Sequence, residues 1–417
     1  MCFFGSSECP SRRKHVPDKI QMPKMRKKLN TFFCQFRKMT EESSVPDVLD
    51  CQDTLLFYDL YYMNTYPLNI INGIVEFYSK IHVYLLVFFT LLDFFSNISF
   101  VIVLLQKELR NSGINVTMTM IAICNFSLVI LNLIKELFQQ INYLNKTYVE
   151  AVYGRIELYL SLYLSTMSDF LVVEMAFCRV MALFSLDSDK WRDRRHALVI
   201  STVLWVIVGI TSAAIIPMTT VKMSSYQEVY LTTISDVYIE NKCIIFRTTV
   251  FAFGIGFGLV PCILNSIFFL LILFKLKAYE AQRKKNFSRM KSFGIDHSSR
   301  MLKAVLIMFL LVKTPEMLLT LFNSLFMIDY YVFILPMVGE FMQVLIIFNA
   351  STSFIIYCTM SSQFREVFIR IFVPTVIRGR FHVVFFVRIL HFLICLALQT
   401  NTVVVTAIAS TRKVAWQ

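Results

Sequence analysis

Seven stretches of this chain are long and apolar enough that few environments other than hydrocarbon suit them. They cover about 79–105, 114–138, 153–184, 197–218, 247–275, 300–325 and 331–358. A helix rises about 1.5 Å per residue, so roughly 20 residues cross the hydrocarbon layer of a bilayer. The fifth run is the clearest, because Thr248 to Phe274 contains no charged residue. Its Gly254 and Gly258 have the four-residue spacing that lets a second helix approach closely. Backbone polar groups in lipid must pair internally, which leaves helices or closed barrels. Barrel strands alternate over about 10 residues; these runs are longer and continuous. The chain is 56% hydrophobic and 17% charged, against about 45–50% and about 25% for soluble domains. The expected fold class is an all-α membrane protein, a seven-transmembrane-helix bundle.

Charge orients the bundle. The first, third and fifth loops hold Lys107 and Arg110, then Lys190, Arg192, Arg194 and Arg195, then nine basic residues from Lys275 to Lys303. The second, fourth and sixth hold Lys146, then Lys222 and Lys242, then none. Short basic loops stay in the cytosol, so the N-terminus is expected outside and the C-terminal end inside. The net charge of +13 is spread over loops, which fits anionic lipid rather than nucleic acid. An odd number of spans with no evident inverted repeat argues against common transporter architectures.

Four regions follow. Residues 1–78 read as an extracellular, mostly disordered tail, basic to residue 38 and acidic from 39. The basic part sits awkwardly on an exported tail, and translation from Met39 is one alternative. Residues 79–360 form the membrane domain and 361–374 an amphipathic helix. Residues 375–417 are an atypical tail, whose apolar stretch is interrupted by His382, Arg388 and His391.

In the last span, Asn349, Ser353 and Tyr357 recur every four residues and share one face. Polar groups there should look at other helices rather than lipid. Beyond it, Phe364, Val367, Phe368, Ile371 and Phe372 recur at helical spacing, with Arg365, Glu366 and Arg370 opposite. That pattern predicts a short cytosolic helix lying in the membrane plane. Ten scattered Cys and six scattered His indicate neither a disulfide framework nor a metal site, and no cofactor is expected. Of the Asn-x-Ser/Thr sequons, Asn145 alone falls in an outside loop, so it is the expected glycosylation site.

The motifs stand in a telling order. They are Phe95-Ser96-Asn97-Ile98, Ala122-Ile123-Cys124-Asn125, Phe177-Cys178-Arg179-Val180, Leu259-Val260-Pro261-Cys262-Ile263-Leu264, Lys313-Thr314-Pro315-Glu316 and Met360-Ser361-Ser362-Gln363-Phe364-Arg365. Together they resemble the rhodopsin-like G-protein-coupled receptors over about residues 79–374. Within these, the chain is most similar to the nematode serpentine receptors of class W, relatives of FMRFamide-type neuropeptide receptors.

The resemblance implies roles. Arg179 matches the arginine that engages a heterotrimeric G protein, with Cys178 in place of its usual acidic neighbour. Tyr357 matches a tyrosine that swings inward on activation, and Pro261 and Pro315 match helix kinks. Asn97, Asn125, Ser168, Asn349 and Ser353 match a polar core, with Asn125 where most relatives carry the aspartate of a sodium site. Relatives tie the top of span three to the second outside loop by a disulfide. Cys243 fits the loop partner, the top of span three reads Tyr153-Gly154-Arg155 with no Cys, and Cys51 is the evident substitute. Ser161 stands where amine receptors carry an aspartate, which lowers that reading.

Ionisable residues in the outer halves of spans need an explanation, because burying one unpaired costs several kcal/mol. Lys135, Glu136, Glu157, Lys313, Glu316, Glu340 and Gln343 are the candidates for a ligand pocket, with Ser161 beside them. Lys313 and Glu316 are three apart and can pair with each other. These readings lead to the expectation of a plasma-membrane receptor coupled to a G protein, first for an extracellular neuropeptide and second for a small chemosensory molecule. A seven-span channel-type receptor is the alternative; no enzyme chemistry is expected. In a chain trimmed after Phe372, an epitope placed there should be reached by antibody only after permeabilisation, and staining of intact cells would reverse the topology.

Overall fold

In the computed structural model, each apolar run becomes a helix. The structure describes residues 66–141, 147–184, 190–223, 230–285, 293–326, 329–330 and 334–372. Span one is Tyr66–Leu104, span two Gly113–Ile141, span three Tyr148–Phe184 and span four Arg194–Ser212. Span six is Phe293–Leu325 and span seven Leu335–Met360. Span five runs through Asp236–Phe253, a π-helical turn at Gly254–Leu259, and Val260–Lys285. That turn directly precedes Pro261. Proline has no N–H for the carbonyl four residues back, and its ring crowds that carbonyl, which favours a locally widened helix. Pro315 lies within span six.

Span one starts at Tyr66, inside the stretch read as tail. Pro67 falls in its first turn, where a missing N–H costs nothing, and Leu68, Ile70, Ile71 and Ile74 continue the helix. Six of the seven helices are long and apolar enough to cross a membrane on those grounds alone. Span three is the exception, because it carries Glu157, Asp169, Glu174 and Arg179. The first three of these are buried inside the bundle.

The apolar core is built from Phe100, Val103 and Leu104 of span one, Met118 and Ile121 of span two, Met167, Leu171 and Met175 of span three, and Leu306 and Phe309 of span six. Outward faces are equally apolar: Tyr84, Val87, Phe88, Leu91 and Phe95 on span one, and Val199, Val203, Val206 and Ile210 on span four, are exposed. Lipid tails are as apolar as these side chains, so such faces need no protein partner.

Between spans four and five the connecting loop forms an antiparallel hairpin, β1 Thr219–Met223 with β2 Tyr230–Ile234. It is pinned to the top of span three. The Thr232 hydroxyl donates to the Ala151 carbonyl at 2.7 Å, and the Tyr148 and Tyr230 rings meet edge-on at 5.4 Å. Just before the hairpin, the Arg155 guanidinium donates to the Ile216 carbonyl at 2.8 Å. Among the described residues this is the only sheet.

At the inner end the chain breaks at Ser361, whose hydroxyl accepts the Phe364 N–H at 3.2 Å and starts the in-plane helix Ser362–Phe372. The Arg365 guanidinium closes the preceding helix by donating to the Thr359 carbonyl at 2.7 Å. Phe364 is fully buried, with ring centroids 5.4 Å from Phe100 and 5.7 Å from Tyr357. Ile371 and Phe372 stay exposed, on the face available to lipid. Arg370 pairs with Glu108 of the first inner loop at 2.8 Å, and that hydrogen bond holds the Glu108 carboxyl below its ordinary pKa. Both partners are exposed, so the pair adds little stability. Replacing Phe364 by alanine should cost about 3–5 kcal/mol by thermal unfolding, against a near-neutral Phe372→Ala. Equal losses at the two positions would mean the helix is not held through Phe364.

Candidate functional site

The polar groups of the bundle fall into four clusters, three of them centred on span three. At the outer end, the Glu157 carboxylate meets the Lys135 ammonium of span two at 3.2 Å and accepts from the Ser161 hydroxyl at 3.0 Å. Glu157 is nearly enclosed, whereas the Lys135 side chain is 45% exposed, so the pair presents its positive end outward. The nearby Tyr153 hydroxyl donates to the Leu131 carbonyl at 2.7 Å and ties span three to span two.

Deeper in the bundle, the Lys313 ammonium of span six lies 3.0 Å from Asp169 of span three and 2.9 Å from Glu316 one turn along. Spacing alone foresees the Glu316 contact. The Asp169 contact spans 144 residues of chain and joins two helices. Lys313 and Asp169 are both buried. A buried ammonium between two carboxylates is fixed strongly, because losing either side leaves an uncompensated charge in a poorly solvated site.

Further in, Glu174 is buried and both its oxygens accept from the Ser201 hydroxyl of span four, at 3.0 and 2.8 Å. Sequence reasoning passed over Glu174 as a site, although a carboxylate in the middle of an apolar helix signals a partner on a neighbouring one.

The fourth cluster is the polar seam with span seven. The Ser168 hydroxyl donates to the Asn125 side-chain oxygen at 3.2 Å, and the Asn125 amide donates to the Ala350 carbonyl at 3.4 Å. These groups, with Asn349, Ser353 and Lys313, line a cavity of about 70 Å³. Asn97 does not join them. It is buried, and its amide donates to the Asp93 carboxylate and to the Asp93 carbonyl on its own helix. A carboxylate one turn away outcompetes a neutral partner across the bundle.

Arg179 sits half-buried at the inner end of span three, close enough for its charge to act on the Tyr357 phenol. Tyr357 is buried with its ring 5.0 Å from Phe100, and its hydroxyl makes no hydrogen bond among the described residues. Cys178, beside Arg179, is a buried free thiol.

The remaining expected residues scatter. Glu340 of span seven accepts from the Ser79 hydroxyl of span one at 3.3 Å, apart from the Lys313 group. Gln343 is exposed on the surface of span seven and joins no cluster, because Met342 and Val344 take the buried positions on either side. Glu136 lies in span two, but its side chain is outside the described residues. Cys243 is disulfide-bonded and has a positive φ of 58°. Its partner, like Cys51, Asn145 and residues 375–417, lies outside the described residues.

The family model for the serpentine type 7TM GPCR chemoreceptor Srw matches residues 82–374. The G-protein coupled receptor dmsr-1 of Caenorhabditis elegans is 23% identical over 361 residues, which cover 73% of this chain and 71% of that relative.

The Lys313 group yields a stability test. Lys313→Met alone should lower unfolding stability by roughly 3–5 kcal/mol, since it strands two carboxylates. Combining it with Asp169→Leu and Glu316→Leu should recover most of that loss. A triple variant no more stable than the single one would show that the three do not act as a unit.

Proposed function

The chain belongs to the Srw family of serpentine seven-transmembrane G-protein-coupled receptors, and from that premise we propose that it carries the signal of an extracellular neuropeptide to a heterotrimeric G protein. It acts at the plasma membrane with its N-terminus outside, as a receptor and not as an enzyme. The observation that carries the reading is the content of span three. One helix holds the outward-facing Lys135–Glu157 pair at one end, the Lys313 contact in the middle, and Arg179 beside Tyr357 at the other.

A peptide suits the outer end. The paired charges of Lys135 and Glu157 and the carboxylate of Glu340 present both signs, spread over spans two, three and seven. Charged groups placed on three different spans match an extended ligand with its own charged or amide groups better than a compact one. The hairpin pinned to span three gives the entrance a folded wall. At the inner end, a cation reaching the phenol of a buried tyrosine is an arrangement that a small rotation of span six or seven alters. Pro261 and Pro315 supply bends in spans five and six where such movement can start.

A small-molecule ligand is the second reading, favoured by the family's description as chemoreceptors. A screen of a peptide library and a panel of volatile and water-soluble small molecules, with a G-protein readout, separates the two. Activation by small molecules alone would overturn the peptide assignment. With an agonist from either screen, Arg179→Ala should abolish stimulated G-protein activation while surface expression stays at the level of the unaltered chain. Signalling that persists in that variant would remove Arg179 from the coupling machinery.

A further inference from the structure

A second cavity, of about 120 Å³, lies on the other side of Lys313, between spans three, five and six. One wall is Asp169, Lys313 and Glu316; the opposite wall includes Phe253 and Phe257, whose rings stack at 5.2 Å, and Cys262. The volume is many times the ~10–15 Å³ that a single water needs. Span five reaches span six closely here through its two small residues. A Cβ on Gly254 would lie 3.3 Å from the Thr320 methyl, and one on Gly258 3.4 Å from the Met317 side chain. The cavity is therefore a built feature of the π turn and its neighbours, with its charged wall fixed by contacts at 3.0 and 2.9 Å.

The sign of that wall is uneven. Two carboxylates share one ammonium, which leaves a formal excess of one negative charge. An anion entering would face both carboxylates, with the one ammonium already committed. A cation entering finds two carboxylates to share and aromatic rings, whose faces also attract cations.

We propose that this cavity is a cation subsite: it receives an ammonium or guanidinium group of the extracellular ligand, which competes with the Lys313 ammonium for Asp169 and Glu316. The proposal rests on the receptor reading for the ligand and adds the chemistry of one of its groups. Competition at Asp169 loosens the contact between spans three and six, the two helices that the Lys313 bridge joins at this depth.

Cys262 is a free thiol in the lining, so the chain carries its own reporter. The full-length protein in lipid nanodiscs is treated with aminoethyl methanethiosulfonate, which is positive, or sulfonatoethyl methanethiosulfonate, which is negative. Labelling at Cys262 is followed by peptide mass spectrometry, and each rate is divided by that of the same reagent with a small free thiol. A cleft of one sign raises local concentration of the opposite sign by ~10-fold or more. The corrected preference for the positive reagent should be of that size, and Asp169→Asn and Glu316→Gln should each reduce it several-fold. If one variant fails to fold, the other carries the comparison. No preference, a preference for the negative reagent, or no labelling by either reagent overturns the subsite, the last because a ligand group could not enter. Neither ligand nor G protein is used. A chain that signals normally but shows no charge preference at Cys262 thus loses the subsite and keeps the receptor function.

Discussion

Buried carboxylates on span three set the terms for the rest of the bundle. An ionisable group at bilayer depth is tolerated only with a partner, and span three carries three such groups. Each finds that partner on a different helix: Glu157 on span two, Asp169 on span six and Glu174 on span four. Rotating span three by a fraction of a turn would strand all of them at once. The apolar contacts of Met167, Leu171 and Met175 supply attraction but little direction, since one aliphatic neighbour resembles another. The charges supply the direction. Their net contribution to stability is small, because desolvation offsets most of the attraction, and their effect is on which packing is chosen.

The two ends of the bundle are finished differently. At one end, a hairpin is fastened to span three by the Thr232 hydroxyl, while the Arg155 guanidinium holds the chain just before it. Strands suit that position because their backbone groups pair with each other where water competes for them. At the other, the short helix Ser362–Phe372 is held by aromatic packing of Phe364 against Phe100, Phe354 and Tyr357. Tyr357 therefore belongs to two assemblies, the ring cluster through its face and the neighbourhood of Arg179 through its hydroxyl.

Hydropathy and charge placed much of this architecture before any coordinates. Length and apolarity located seven helices, and the amphipathic period beyond Met360 located the eighth, because a bilayer acts on the chain in one dimension. The Asn349–Ser353–Tyr357 face and the Lys313–Glu316 spacing were equally local, each within one helix. Span one began earlier than its apolar run indicated, since the sequence between Tyr66 and Ser79 is helix-compatible without being bilayer-like. The hairpin between spans four and five carried no period that separates a short strand pair from a loop.

What the sequence determined by itself was how many stretches of the chain suit a crossing of the lipid, and which residues in those stretches would need partners. Tertiary structure alone decided who the partners across the bundle are: Asp169 for Lys313, Ser201 for Glu174 and Ala350 for Asn125. It also turned Gln343 outward. The reason is geometric. Crossing a membrane is a property of one helix and its solvent, whereas a contact between helices depends on rotation, tilt and depth of both, and no single stretch of sequence encodes those.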